Sequence, residues 1–106
     1  MGKIIDISSK LMNEPKFLQV TEDKTYKVDD RKNTVIQMNQ ILENANGSVE
    51  SIDKAIKLCL GDKAFKEIEK MDLSMTAYQS LFIGMMALVT NKTYEELEKT
   101  FRETTA

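Results

Sequence analysis

Few residues in this 106-residue sequence have the chemistry of a catalytic or metal-binding centre. The chain contains no histidine, so it lacks the commonest general base and the commonest metal ligand. Its single cysteine, Cys59, lies on an apolar helical stripe, where it is either a small buried hydrophobe or a reactive thiolate. The one basic residue at helical spacing, Lys63, follows a glycine break. The pattern therefore favours an inert, buried thiol.

The clustered carboxylates favour structural roles. Asp29-Asp30 directly precedes a helical pattern, which is typical of negative charge at a helix N-terminus and less so of a metal site. Glu95, Glu96 and Glu98 fall in or near the first turn of the last predicted helix, and no apolar sequence encloses them. The remaining candidates are tyrosines with a lysine nearby: Tyr26, Tyr78 and Tyr94. We predict a protein that is not an enzyme and that uses no cofactor and no metal.

Charge and composition exclude further classes. The net charge of −2 and the pI of about 5.2 argue against nucleic-acid binding, which requires a basic face. The N-terminus lacks the apolar run of a signal peptide, because Asp6 interrupts it. The densest apolar segment is shorter than the roughly 18 residues of a membrane span. We expect no membrane partner and a cytoplasmic location.

The first 28 residues are predicted to be extended. Ile4, Ile5 and Ile7 form a short β-branched run that ends at two serines. Two further β-rich runs, Phe17–Val20 and Thr25–Val28, flank a polar loop of four residues and predict a β-hairpin. Because an isolated hairpin is marginally stable in water, this one must pack on the rest of the chain.

From Asp29 onward the apolar residues recur with the 3.6-residue period of helices. The predicted N-caps are Asp29 or Asp30, Ser48, Asp62, Ser74 or Thr76, and Thr93. The predicted helix ends are Asn46-Gly47, Gly61 and Asn91-Lys92. The sequence thus predicts a mainly α, single compact domain over residues 1–106, with an extended and hairpin region (1–28) and about five helices (29–104).

The segment Ala77–Val89 is the densest apolar stretch. Its apolar residues surround the helix, so the helix is either central to the core or also meets a partner. Four of the seven methionines lie in or beside it, and methionine suits both irregular cores and adaptable binding surfaces. Gly84 costs about 1 kcal/mol relative to alanine in a helix interior, which favours a close helix crossing.

Several local segments occur in an order that resembles a known family. They are Ile5–Ser8, Tyr26–Asp30, Ile52–Ala55, Leu60–Phe65, and Thr93–Glu98 with the following Phe101. Together with the apolar helix, they make nearly the whole chain similar to the small tail assembly chaperones of long-tailed phages and prophages of Gram-positive bacteria. The family has no catalytic motif that could be carried over.

This resemblance implies a non-enzymatic function in the bacterial host cytoplasm. Such a chaperone would coat the tape measure protein, a long and largely helical chain, and keep it soluble until tail-tube subunits polymerise around it. The implied partners are the tape measure protein, the tail-tube protein and further copies of the same chain. The apolar pattern alone, not the family, selects the residues for partner binding: Tyr78, Leu81, Met85, Met86, Leu88 and Phe101.

The alternative hypothesis is a small phage structural or connector subunit that self-assembles. It predicts a large closed oligomer that needs no tape measure partner.

Overall fold

Strands and helices follow one another along the chain in the predicted order. The structure is a computed structural model that describes residues 2–11, 14–45 and 48–105. Among these residues a short 3₁₀-helix (Ser8–Leu11) precedes two strands, β1 (Lys16–Gln19) and β2 (Thr25–Val28). The α-helices are α1 (Lys32–Ala45), α2 (Val49–Leu60), α3 (Asp62–Lys70), α4 (Met75–Thr90) and α5 (Tyr94–Thr105). The predicted mainly helical fold with a small N-terminal hairpin is confirmed.

The hairpin pairs β1 and β2 antiparallel, with Leu18 opposite Tyr26. The backbone N–H of Val20 donates to the carbonyl of Lys24 at 2.9 Å and closes the turn. Because β1 ends at Gln19, the connection is longer by one residue than the predicted loop. Alternate side chains face the helices, as the period of a strand requires, and Phe17 on the other face is 56% exposed.

Serine and threonine side chains begin three of the helices. The Ser48 hydroxyl accepts a hydrogen bond from the Ser51 N–H at 3.2 Å, and the Ser74 hydroxyl accepts one from the Ala77 N–H at 3.1 Å. The Thr93 hydroxyl accepts one from the Glu96 N–H at 3.2 Å. These caps each satisfy a backbone donor that lacks a partner within its helix. They confirm the predicted N-caps Ser48 and Thr93. Of the two N-caps predicted for α4, Ser74 and Thr76, the structure has Ser74.

The predicted cap at Asp62 is wrong. Gly61, at φ 96°, is both the C-cap of α2 and the residue before α3, so Asp62 is already the first residue of α3. A glycine in this conformation turns the chain within one residue, which leaves no separate capping position. The predicted ends at Gly61 and Asn91 are confirmed, Asn91 in the left-handed conformation at φ 60°. The predicted end at Asn46-Gly47 lies outside the described residues.

Neither Asp29 nor Asp30 is the cap of α1, which begins later, at Lys32. The Asp29 carboxylate instead accepts hydrogen bonds from the Arg31 backbone N–H at 3.1 Å and the Thr34 hydroxyl at 2.9 Å. The Arg31 guanidinium forms two further bonds to it, at 3.0 and 2.9 Å. The backbone N–H of Asp29 donates to the carbonyl of Cys59 at 2.8 Å. Asp29 therefore joins the end of β2, the start of α1 and the end of α2.

The core lies between α2 and α4. Ala55 and Ile56 from α2 and Met85 from α4 are completely buried, as is Met38, the most deeply buried residue of the predicted α1 stripe. The helix α1 packs on α2, α5 packs on α4, and the hairpin covers both central helices. Burial of these side chains provides the main driving force for folding.

We expect Asp29→Asn to lower the free energy of unfolding by about 1–2 kcal/mol at neutral pH, because it removes a charged acceptor. The Arg31 guanidinium holds the pKa of Asp29 well below its usual value, against the opposing effect of partial burial. This stabilisation is complete above pH of about 4 and is lost as the pH falls further. Urea denaturation at several pH values should therefore show that the free energies of unfolding of the wild type and of Asp29→Asn become equal as the pH falls.

Asp30→Asn is the matched control. Asp30 forms a partly exposed ion pair with Lys16 at 3.0 Å, and such pairs contribute less than about 1 kcal/mol. Equal losses for the two variants would contradict the assignment of Asp29 as the junction residue.

Candidate partner-binding groove

An apolar groove runs between β1, α4 and the start of α5. Its volume is about 360 Å³, and we call it the β1–α4 groove. The residues that line it are Leu18, Val20, Leu73, Ala77, Leu81 and Gly84, with Gln19, Ser80 and Tyr94 as polar members. A cavity with mostly apolar walls and a few polar groups is typical of a binding site for an apolar ligand or side chain.

Gly84 permits the close approach of β1 to α4. A Cβ atom at this position would lie 3.1 Å from the Leu18 Cδ1 atom, which is shorter than an ordinary van der Waals contact. The sequence predicts that Gly84 allows a close helix crossing. This prediction is wrong, because the element that approaches Gly84 is the strand β1. The missing side chain also deepens the groove at this point.

The outer edge of β1 borders the groove and is open. Hydrogen-bonded and non-hydrogen-bonded pairs alternate in an antiparallel ladder. Since Val20 and Lys24 form a hydrogen-bonded pair, the backbone groups of Phe17 and Gln19 point away from β2. No other described residue forms a backbone hydrogen bond with them on that side. Such an edge can accept an additional strand.

The six residues predicted to bind a partner differ in their placement. Tyr78, Leu81 and Met85 belong to the buried core cluster, and only Leu81 also lines the β1–α4 groove. Met85 is 0% exposed and offers no surface to a partner in this conformation. The half-buried members pack against the core from its periphery: Met86, Leu88 and Phe101. A binding role for these residues stays a prediction.

Tyr78 and Phe101 have specific intramolecular contacts. The Tyr78 hydroxyl donates a hydrogen bond to the Asp53 carboxylate, which ties α4 to α2. Burial of the ring, followed by the hydrogen bond to Asp53 and then the Asp53 charge, raises the pKa of Tyr78 above its usual value. The Phe101 ring lies 6.1 Å from the Phe82 ring, in a tilted arrangement that holds α5 on α4.

A second tyrosine, Tyr26, also has a buried hydroxyl. The Tyr26 hydroxyl has no hydrogen-bond partner among the described residues. Burial is the main reason that the pKa of Tyr26 is raised, and the nearby Glu67 carboxylate contributes, although its geometry falls short of a hydrogen bond. A raised pKa keeps this phenol neutral, so it is not activated as a base.

A cleft of about 550 Å³ lies beside the Asp29 junction. Two of its carboxylates have cationic partners, since Asp29 binds Arg31 and Asp30 binds Lys16. Cys59 at its wall is buried, and burial raises the pKa of the thiol to about 11, which leaves it protonated at neutral pH. The predicted burial of Cys59 is confirmed.

Among the described residues there is neither a metal-binding cluster nor a membrane-spanning helix. No group of three or more histidine, cysteine, aspartate or glutamate residues is placed to hold a metal ion. No helix in the same part of the chain combines the length and apolarity needed to cross a membrane.

Sequence reasoning missed the groove and the exposure of the N-terminal segment. The α4 residues Ala77 and Ser80 form part of the groove wall. In the sequence they are only small residues on one face of a helix, which does not indicate a groove. Ile4 is 90% exposed and Ile5 75% exposed, which the prediction of an extended, β-branched run did not include.

Comparisons of this chain with protein-family models, curated proteins and solved structures find no match. Its resemblance to tail assembly chaperones therefore stays a prediction, and any function must be argued from its own residues.

Substitution of Gly84 by alanine tests the packing of β1 on α4. The Leu18 methyl group that faces Gly84 is the end of a half-buried, flexible side chain and can move by a few tenths of an ångström. We therefore expect the helix-propensity gain to prevail and the free energy of unfolding to rise by up to about 1 kcal/mol in urea denaturation. Gly84→Leu should instead destabilise. A clear loss for alanine would show that β1 is held rigidly.

Tyr78→Phe should lower the free energy of unfolding by about 1–2 kcal/mol, because it removes a hydrogen bond to a carboxylate. Tyr94→Phe is the control, since the Tyr94 hydroxyl has no hydrogen bond to another described residue and lies at the groove. Thermal or urea denaturation would measure both. A Tyr78→Phe variant as stable as the wild type would mean that the Asp53 contact contributes nothing net.

Proposed function

We propose that this protein is a phage tail assembly chaperone that binds the tape measure protein and keeps it soluble before tail-tube polymerisation. The single observation that carries the proposal is the β1–α4 groove, an apolar groove that is open to solvent. An apolar groove on a small protein is a typical docking site for the apolar face of a partner helix. The protein would act in the cytoplasm of the bacterial host.

The size of the groove suits weak and repeated binding. A volume of about 360 Å³ accommodates only a few apolar side chains from each stretch of a long partner. Many copies would therefore be needed to cover the apolar stripe of a tape measure chain, and each copy would leave readily when tube subunits arrive. Weak individual contacts that add up along one chain are the expected behaviour of multivalent binding.

The residues available for this role follow from the geometry. Leu81 contributes both to the core and to the groove wall, and Ala77 and Gly84 leave room for an incoming side chain. Leu88 is half-buried one turn after Gly84 on the same face of α4 and can extend the contact beyond the groove, whereas Met86 lies on the opposite face. Gln19, Ser80 and Tyr94 provide polar groups at the groove for a partner's backbone or side chains.

A second candidate function is a structural or connector subunit that self-assembles. The exposed isoleucines near the N-terminus favour it, because exposed apolar side chains favour association with another surface. It differs from the chaperone in needing no tape measure protein.

Co-expression with the tape measure protein of the encoding phage or prophage tests the proposal. Wild-type protein should keep the tape measure chain in the soluble fraction and co-purify with it at many copies per chain. Ala77→Glu should abolish this, because it places a charge in the groove wall. Thr76→Glu, an exposed neighbour outside the groove lining, should behave like the wild type.

The two variants are matched in their effect on the helix. Both positions lie in the first turn of α4, where a negative side chain is favourable, so both proteins should fold. Circular dichroism and thermal denaturation would check this. An insoluble tape measure chain in the presence of folded wild-type protein contradicts the proposal, and equal retention by Ala77→Glu and Thr76→Glu contradicts the groove as the site.

A further inference from the structure

Among the described residues, the N-terminal segment Gly2–Ile7 is exposed to solvent, and we call it the arm. Ile4, Ile5, Ile7 and Leu11 are all exposed, and within the described part of the chain the sheet consists of β1 and β2. The radius of gyration of 15.8 Å exceeds the roughly 13 Å of a compact domain of this length, consistent with segments that project from the body. An arm with three β-branched residues in four positions is well suited to a strand.

A short turn separates the arm from β1. The Asp6 carboxylate accepts hydrogen bonds from the Ser8 N–H at 2.9 Å and the Ser8 hydroxyl at 2.7 Å. The Lys10 N–H donates to the Ile7 carbonyl at 2.9 Å. These bonds fix the 3₁₀-helix Ser8–Leu11, which gives the arm a defined origin instead of a continuous strand into β1.

The open edge of β1 and the arm are complementary. The edge offers the outward backbone groups of Phe17 and Gln19, and the β1–α4 groove beside it offers apolar walls. In an added strand, alternate side chains point to one face. One register places Ile5 and Ile7 toward the groove and Asp6 toward water, while the opposite register would bury the Asp6 charge.

We propose that the N-terminal arm of one copy adds to the β1 edge of a second copy as a third strand, with Ile5 and Ile7 in its β1–α4 groove. Backbone hydrogen bonds to the edge would supply affinity, and the two isoleucines would supply register and specificity, as in other cases of strand addition. Ile4 would then share the outer face of the sheet with the exposed ring of Phe17. The inference needs only this chain and does not depend on the proposed function.

The first test removes the apolar side chains of the arm. Sedimentation equilibrium of the wild type should show a concentration-dependent mass above the monomer value of 12.1 kDa. The double variant Ile5→Asp/Ile7→Asp should lose the oligomer and keep its thermal stability, because neither side chain is part of the core. The control is Ile36→Asp, which makes the same change at another exposed isoleucine, on α1. This variant should keep the oligomer.

The second test removes a backbone donor from each edge of the sheet. Gln19→Pro deletes an outward N–H on β1 without breaking a bond to β2, and Lys27→Pro does the same on the opposite edge. With folding of both checked by circular dichroism, Gln19→Pro should lose the oligomer and Lys27→Pro should keep it.

Several results would overturn the inference. One is a monomeric wild type. Others are an oligomer that persists in Ile5→Asp/Ile7→Asp, or an oligomer that is lost in Ile36→Asp. The last is that the two proline variants fold and have the same oligomeric mass. Tape measure retention is measured separately, so an arm variant that still solubilises the tape measure chain refutes neither proposal.

Discussion

The need to bury α4 determines how the rest of the chain is arranged. Apolar residues surround this helix, so one neighbour cannot cover it, and α2, α5 and the hairpin each cover a different part of its surface. The coverage is complete at Met85 and incomplete beside Gly84, where a strand approaches instead of a helix. A two-stranded sheet is narrower than the surface that it must cover. The β1–α4 groove lies where that cover ends.

The position of the hairpin depends on polar contacts that the hydrophobic core cannot provide. Asp29 fixes the chain where β2 becomes α1, through Arg31 and Thr34, and its own N–H reaches the end of α2. On the other strand, the Lys16 ammonium group donates to the Leu88 carbonyl at 2.9 Å and pairs with Asp30. A cation at the C-terminal end of α4 is also favourable for the helix dipole. Because Lys16 is paired with Val28, which directly precedes Asp29, these contacts hold the same, open end of the hairpin against the helices.

The fold class and most element boundaries could be predicted because they depend on local chemistry. Ser48 and Thr93 cap their helices through contacts within one turn, and Asn91 ends α4 through its own backbone conformation. The predicted cap at Asp62 is wrong because a single residue, Gly61, is both the C-cap of α2 and the N-cap of α3. Whether one residue can take both positions depends on how α2 and α3 cross. The groove and the exposed arm could not be predicted, since they depend on what the hairpin leaves uncovered. The resulting placement of Leu81 and Met85 is likewise a tertiary property.

The two proposals concern one groove and are therefore linked. An arm strand and a partner helix both require the apolar walls beside Leu18 and Gly84, so a given copy can hold only one of them. An open β edge next to an apolar groove is prone to non-specific association, and natural proteins usually cover such edges. An arm from another copy would cover both features while no client is present. A client helix would then have to displace the arm, which would lower its apparent affinity and make release easier. Self-association and client binding would oppose each other, and the chaperone and self-assembly hypotheses would describe two states of one protein.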